Sequence, residues 1–382
     1  MYLKCNARIF KEDKKFEVID FTISSSFETR TLTAVVNLPR FQFVTETDKD
    51  NTLVAKKIPI DFLRGDVIRL ETFYTDEFGE DKIPYTNNLY VVRTEIDRDR
   101  IILYLEDEMF QLKNAKTLTT VHYLEGSNKG GEPDVIQFVK GLIEKQGLTV
   151  EVYPKDLEYK TKEYKFVEMS ISAILQYLYE NYLLVSFWDG TALVLCRPYE
   201  AQPKYIRSEP HKYSFLFTEE DQAILEHNLE YFDERNSTIQ IQGKNYLKTG
   251  KTTTDNVFTN KGQGDIVRKI DAVFYNLDEA TFKANLNELI SQYDINGFQG
   301  DFTTFGNYFT IREANEKRYN RDYANILDTV QFQNAFYSNR VSRLVEPDLE
   351  NDIYLITAVE ISYSTSGIRQ VISIGNQVNT QN

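Results

Sequence analysis

Apolar and polar residues alternate along the first hundred positions. In "FEVIDFTISSSFETRTLTAVVNLP" the pattern runs through Phe16, Val18 and Asp20, then through Leu32, Ala34 and Val36. A period of two turns one face of a strand toward a core. Pro39 stops the run, since a strand interior cannot spare an N–H. "LRGDVIRLETFYTDEFGED" predicts a strand pair around a turn at Gly79, and Leu89 to Leu105 a hairpin around Asp97-Arg98-Asp99-Arg100.

From Pro133 the period changes. Val135, Val139, Leu142 and Ile143 fall at helical spacing, with Gly147 placed for a left-handed cap. A second helix follows in "SISAILQYLYENY", with Ser170 as N-cap and Ile171, Ile174, Leu175, Leu178 and Tyr182 as its stripe. In "LLVSFWDGTALVLCRP", Asp189-Gly190 between apolar runs predicts a hairpin with a type I′ turn. A β-branched residue at Gly190 is expected to disrupt it.

Strands return with "YSFLF" and "STIQIQGK". Residues 244–265, polar and rich in Thr and Gly, read as a long exposed loop or arm. A third helix is expected over "DEATFKANLNELISQY", with Phe282, Leu286, Leu289, Ile290 and Tyr293 on one face. "GFQGDFTTFGNYF" reads as tight β turns, the tyrosine-rich 315–340 stretch gives no assignment, and 353–375 forms a closing hairpin. The order is that of a β-rich α+β protein, two β units interrupted by small α/β modules.

At 382 residues the chain exceeds a single core. Its 25 Tyr and 25 Phe against one Trp suit broad pleated faces. Cys5 and Cys196 provide neither a disulfide framework nor zinc spacing. The N-terminus has no signal-peptide core and no run of about 18 apolar residues occurs, so secretion by that route and a membrane span are not expected. The net charge of −14, from 58 Asp+Glu against 44 Lys+Arg, argues against binding nucleic acid. Lys56-Lys57 and "KTGKTTT" are isolated basic spots. A surface past which DNA slides without sticking fits this charge.

Candidate chemistry is sparse. His122, His211 and His227 make no HExxH and no i, i+4 pair, and no GxSxG elbow occurs. Glu106, Asp107 and Glu108 stand together, but neighbours on a strand point to opposite faces, whereas glycoside hydrolysis needs two carboxylates facing each other about 5–10 Å apart. A solvated strand end is expected there. Thr45 to Asn51 lacks the Gly and terminal Glu of a calcium loop. Gly262 and Gly264 lack a third glycine, and "GSNKGG" at 126–131 lacks the Lys-Ser/Thr of a phosphate loop. No catalytic, metal or cofactor-binding residue is assigned, and the chain is not expected to be an enzyme.

The hairpin "LYVVRTEIDRDRIILYLED" of residues 89–107 is written again as "IYLITAVEISYSTSGIRQVISIG" at 353–375. With "GDVIRLETFY" (65–74) before it, "RIILYLEDEMFQLKNAK" (100–116) closing it, then "DVIQFVKGLIEKQGL", "SISAILQYLYENYLL", "VSFWDGTALVLC" and "YLITAVEISYSTSGIRQVISIGN", the ordered set resembles the tail hub, or baseplate hub, proteins of long-tailed phages. These include the late control proteins, with related folds in spike-bearing proteins of type VI secretion. The resemblance covers about 15 to 376; 244–265 and 315–340 have no counterpart.

It implies two tail-tube-like β-barrel domains: 1–114 the first barrel, 115–204 an inserted α/β module, 205–265 strands of the second barrel with a long polar loop, 266–310 a helical or α/β insert, and 311–382 its closing strands. It further implies a homotrimer with pseudo-six-fold symmetry in the virion, assembled in the host cytoplasm. Such a trimer would join a six-fold tail tube or distal tail protein to a separate spike or central fibre protein. Its lumen would pass the tape measure protein and DNA, without specific nucleic-acid binding. Two other readings stay open: a receptor- or glycan-binding tail protein, suggested by the tyrosines, and a tail-associated cell-wall hydrolase with a dispersed acidic pair.

Overall fold

The computed structural model describes residues 5–27, 29–47, 53–58, 61–75, 81–114, 122–124, 134–153, 157–159, 164–166, 169–188, 191–197, 212–215, 224–233, 237–247, 249–259, 265–293, 296–305, 309–312, 318–321, 329–332 and 353–377. Most of the described strands belong to one sheet of sixteen. It runs from Lys14–Glu17 through Cys5–Lys11, Val67–Thr75, Asp81–Ile96, Arg100–Glu106, Thr33–Pro39 and Asp20–Ser26 to Ile353–Ser364. There it divides. One flank continues through Thr329–Phe332, Lys212–Phe215, Phe309–Arg312 and Arg318–Arg321; the other through Gly367–Gln377 and Asn296–Phe305 to Ile224–His227 and Glu230–Asp233. The expected β units are thus halves of a continuous sheet, and the strand order alone writes no closed barrel.

Alternation decides which side chains enter the core. Phe21 and Ile23, Ala34, Val36 and Leu38, and Ile101, Leu103 and Leu105 are all buried in one cluster, while the residues between them face outward, as period two requires. On the far side of this first half the outward Glu71 is covered by Arg8 and Arg69, at 2.9 and 2.7 Å. The Arg8 guanidinium lies 4.3 Å from the Phe73 ring centroid.

The two repeated hairpins, Asp81–Ile96 with Arg100–Glu106 and Ile353–Ser364 with Gly367–Gln377, have matching neighbours. In each, the second strand pairs antiparallel with a further strand, Thr33–Pro39 or Asn296–Phe305. That strand pairs in turn with Asp20–Ser26 or Ile224–His227. The first strand of each pairs antiparallel with Val67–Thr75 or Thr329–Phe332. Beyond these lie Cys5–Lys11 and Lys212–Phe215, where the halves differ: the former pairing is antiparallel, the latter parallel.

The predicted helices form where their stripes placed them. Val135–Glu144 is capped by Asp134, whose side chain accepts from Ile136 N, and Gly147 takes φ +84° beyond the Lys145 cap. Ile171–Tyr182 is capped by Ser170, which accepts from Ala173 N at 3.2 Å. They cover a three-stranded sheet in which Leu193–Cys196 lies between Val150–Tyr153 and Val185–Trp188. The hairpin at "WDGT" is present, but its last pair is Trp188 with Leu193. The turn residues 189 and 190 lie outside the described residues.

The described residues of 244–265 do not form an arm. Thr252–Phe258 is an edge strand, paired antiparallel with Ser237–Tyr246, which pairs in parallel with Asp265–Tyr275. Its composition misleads because one face of this sheet meets solvent, so the strand needs few apolar residues. Against the other face packs helix Glu279–Tyr293, so closely that a Cβ at Gly243 would lie 2.5 Å from Leu286 Cδ2. "GFQGDFTTF" is likewise not a set of turns: Asn296–Phe305 is a ten-residue strand of the large sheet. Within 315–340 the described residues are the short strands Arg318–Arg321 and Thr329–Phe332.

Two cores result. One belongs to the large sheet and includes Tyr153, Phe187, Val194 and Cys196 from the small one. The other joins both inserts, with Leu175, Leu178, Leu193 and Leu195 beside Ile241, Phe274, Phe282 and Leu286. Residues expected as separate modules share a single interior. Arg197, fully buried, fastens them: it donates to Asn285 Oδ1, and Asn285 Nδ2 donates to the Asn181 carbonyl at 2.8 Å.

Candidate functional site: a polar face across the seam

Strands Asp20–Ser26 and Ile353–Ser364 pair antiparallel from Ser26 with Ala358 to Phe21 with Tyr363, stitching the two halves together. The outward side chains along this seam are short and polar. One row across six strands reads Glu106, Thr33, Ser24, Glu360, Val371, Thr303. The next reads Tyr104, Val35, Thr22, Ser362, Arg369. Ser24 Oγ reaches Glu360 Oε2 at 3.5 Å. Glu360 and Arg369 are exposed, and the hydroxyl-bearing residues are half-buried by their neighbours. Directly beneath, the core row Leu105, Ala34, Ile23, Ile361 gives way to Gln370 and Thr304, both fully buried. Chemically the face is a run of hydroxyls carrying Glu106, Glu360 and Arg369, with Val35, Val371 and Tyr104 among them.

The sequence-derived candidates do not converge. His122 sits in the two-stranded His122–Leu124 pairing with Tyr164–Phe166, and His227 in a strand of the large sheet. His211, Gly262, Gly264 and 126–131 lie outside the described residues, as do 48–51 of the calcium-like stretch. Lys56 and Lys57 belong to the hairpin Gln42–Thr47 with Leu53–Ile58. Cys5 begins the strand Cys5–Lys11, and Cys196 is a buried free thiol whose pKa is raised by burial and by Glu288. Among the described residues no cluster of His, Cys, Asp and Glu could hold a metal ion, and no helix is long and apolar enough to cross a membrane.

The acidic trio corrects the expectation of a solvated strand end. Glu106 pairs with Lys113 at 2.8 Å, and Glu108 accepts from Tyr90 Oη at 3.1 Å. Asp107 is 2% exposed. Its Oδ2 accepts from Leu32 N at 2.9 Å and its Oδ1 from Met109 N at 3.0 Å, while its own N–H donates to the Leu32 carbonyl. The carboxylate thus locks strand Thr33–Pro39 to the start of helix Met109–Asn114. Burial of the strand end arises because the chain turns into that helix at once, which strand alternation does not reveal.

Burial raises the Asp107 pKa to about 7, against the opposing pull of the two N–H donors. The native carboxyl then holds a proton that the unfolded chain has released above pH 3.8. This group's contribution to stability falls as pH rises through that window, and its full penalty, on the order of 4 kcal/mol, is present above about pH 7. Asp107→Asn should remove this part of the slope in denaturant midpoints measured across the window. An unchanged slope would show that the carboxyl titrates normally.

No protein-family model and no curated protein matches the sequence. Solved structures do match the fold. A tail protein from Neisseria meningitidis MC58 aligns with a TM-score of 0.58 at 10% identity, over 97% of this chain and 96% of that one. The 43 kDa tail protein of prophage MuSo2 from Shewanella oneidensis aligns at 0.55 and 14% identity, over 97% of both chains. The fold resemblance drawn from the ordered phrases therefore holds along nearly the whole chain.

Proposed function

We propose that this chain, which has the fold of phage tail proteins, is a structural tail hub: a homotrimeric adaptor between a six-fold tail tube or distal tail protein and a three-fold spike or central fibre. The matched neighbours of the two hairpins carry the reading. Two equivalent units per chain make six around an axis when three chains assemble, and that is what a six-fold to three-fold junction requires. Each unit is a tube-like barrel. In support, Lys14–Glu17 and Asp20–Ser26 are two parts of one bent strand, the first pairing with Cys5–Lys11 and the second with Thr33–Pro39. Ile19 N donates to the Asn37 carbonyl between them, 2.8 Å away, and Ile9, Phe16, Leu70 and Leu103 share one core.

The seam face lines the bore. Ser and Thr hydroxyls present no net charge to a passing polymer, and the chain's overall charge of −14 repels phosphate. Tape measure protein and DNA pass through without being bound, at the tail tip of a virion assembled in host cytoplasm. A reconstruction of the particle is the test. Three copies at the junction, with Ser24 and Glu360 facing the channel, are expected; a basic channel or a different copy number would refute the assignment.

A receptor-binding reading is favoured by one feature. The outer face of the 237–275 sheet exposes Tyr246 and Tyr275, stacked at 5.8 Å. A glycan array probed with the purified protein separates the two readings, and the hub assignment expects no signal. The hydrolase reading meets a trio already engaged, and purified protein should leave peptidoglycan uncleared on a zymogram.

A further inference from the structure

We infer that Arg30 is a sprung latch through which the first insert governs how tightly the seam is closed; the link from that seam to a bore rests on the hub reading above. Arg30 lies in the loop between strands Asp20–Ser26 and Thr33–Pro39, and both ends of this loop are fixed. Arg30 N donates to the Ser26 carbonyl at 3.2 Å. Leu32 N donates to Asp107 Oδ2 at 2.9 Å, and the Leu32 carbonyl accepts from Asp107 N at 3.1 Å. At the start of the loop, Phe27 N donates to the Thr357 carbonyl, 3.1 Å away. That bond is one step beyond the last seam pair, Ser26 with Ala358.

Thr357 stands where the seam begins. On one side, strand Ile353–Ser364 shifts register against Gly367–Gln377 between Ile356 and Ala358. On the other side the strand changes partner at the same point: 353–355 pair with Thr329–Phe332, and 358–363 with Asp20–Ser26. A register shift interrupts the ladder locally, so the seam opens most readily from this end. The Phe27 hydrogen bond holds that end shut, and the loop holds Phe27.

Arg30 is kept in place at a cost. Its backbone takes φ +54°, a left-handed conformation uncommon outside glycine. Its Nε is buried without a hydrogen-bond partner. Burial pushes the guanidinium pKa below its ordinary value, against the pull of Tyr179 and Glu180. What offsets these costs comes from the insert. The guanidinium lies 5.2 Å from the ring centroid of Tyr179 on helix Ile171–Tyr182, and the charge of Glu180 attracts it. Phe27, Leu32 and Tyr179 pack against the same core. Strain of this kind persists only while the surroundings enforce it. With the insert seated, Arg30 and its loop stay in place. A partner that shifts the insert frees Arg30, the loop relaxes, and Phe27 lets go of Thr357. In the hub, that release loosens the paired strands that carry Ser24 and Glu360.

Hydrogen exchange on the full chain tests the latch, read at the Phe27 amide. The Ile19 amide, just before the same strand and bonded to the Asn37 carbonyl, is the control. Tyr179→Leu keeps apolar bulk against the core but removes the ring face. Exchange at Phe27 should then quicken about tenfold while Ile19 stays within about twofold. Glu180→Gln, at an exposed position, should quicken Phe27 about twofold. Arg30→Gly accepts the left-handed backbone without strain and removes the guanidinium. In that background both insert substitutions should leave Phe27 within experimental error of Arg30→Gly alone, the mark of a coupled pair. Equal acceleration in both backgrounds would overturn the latch, since the coupling would bypass Arg30. So would an unmoved Phe27 amide in the parent background, or equal acceleration at Ile19. Should Tyr179→Leu fail to fold, Glu180→Gln carries the same comparison. None of these readings depends on copy number. The latch can therefore fail with the hub assignment standing, and a reconstruction without three copies would remove the hub and leave the latch.

Discussion

Gly300→Ala should destabilise the fold by about 3–5 kcal/mol, summing backbone strain and overpacking. Gly300 lies within strand Asn296–Phe305 at φ +121°, a conformation essentially closed to other residues. A Cβ there would also stand 2.2 Å from the Asn228 carbonyl oxygen. That oxygen belongs to backbone held in place by the Asn228 N–H, which donates to Asp301 O at 2.9 Å, so neither side can yield. Thermal unfolding and soluble yield provide the readout. Gly141→Ala is the control: it sits inside helix Val135–Glu144 with open space around its Cβ position, and should stabilise by about 0.5–1 kcal/mol. If the two substitutions behaved alike, the close approach at Gly300 would be wrong.

Arg197→Ala should cost about 3–5 kcal/mol, because it strands buried polar partners. The guanidinium donates to Asn285 Oδ1 and, at 3.5 Å, to the Tyr182 carbonyl, and lies 4.9 Å from the Tyr159 ring centroid. Glu288, one turn beyond Asn285, is 3% exposed, and its charge acts on the Cys196 thiol beside Arg197. Hydrogen exchange should show both inserts losing protection together, since the clamp spans them. Arg197→Met, which fills the space without a charge, should recover part of the loss. Loss of protection in 134–197 alone would mean that Arg197 serves only its own module.

These two sites also mark where sequence reading ends. Both hairpins and all three predicted helices were legible, because alternation, apolar stripes and caps such as Ser170 act within a few residues. The misreading of 252–258 came from equating polar composition with loop, although an edge strand of a one-sided sheet buries little. Asp107 looked solvated because its burial depends on a helix that begins two residues later and on Leu32, 75 positions away. Arg197 finds Asn285 88 positions downstream, and the sequence signals only an arginine abutting an apolar strand. The polar face across the seam was not legible: the alternation was followed through Phe16, Val18 and Asp20, and nothing local told that strand 353–364 would lie beside Asp20–Ser26.

The shared interior of the inserts has a consequence for biosynthesis. When Leu193 and Leu195 leave the ribosome, Phe282 and Leu286, which will cover them, have yet to be translated. The nascent first insert must therefore wait with its greasy side bare, and strand Asp20–Ser26 waits longer still for its mate at 358–363. Vectorial, piece-by-piece folding is closed to this polypeptide. Fragments cut at the apparent module limits should aggregate, and holdase chaperones should engage the growing chain until residues 358–363 emerge.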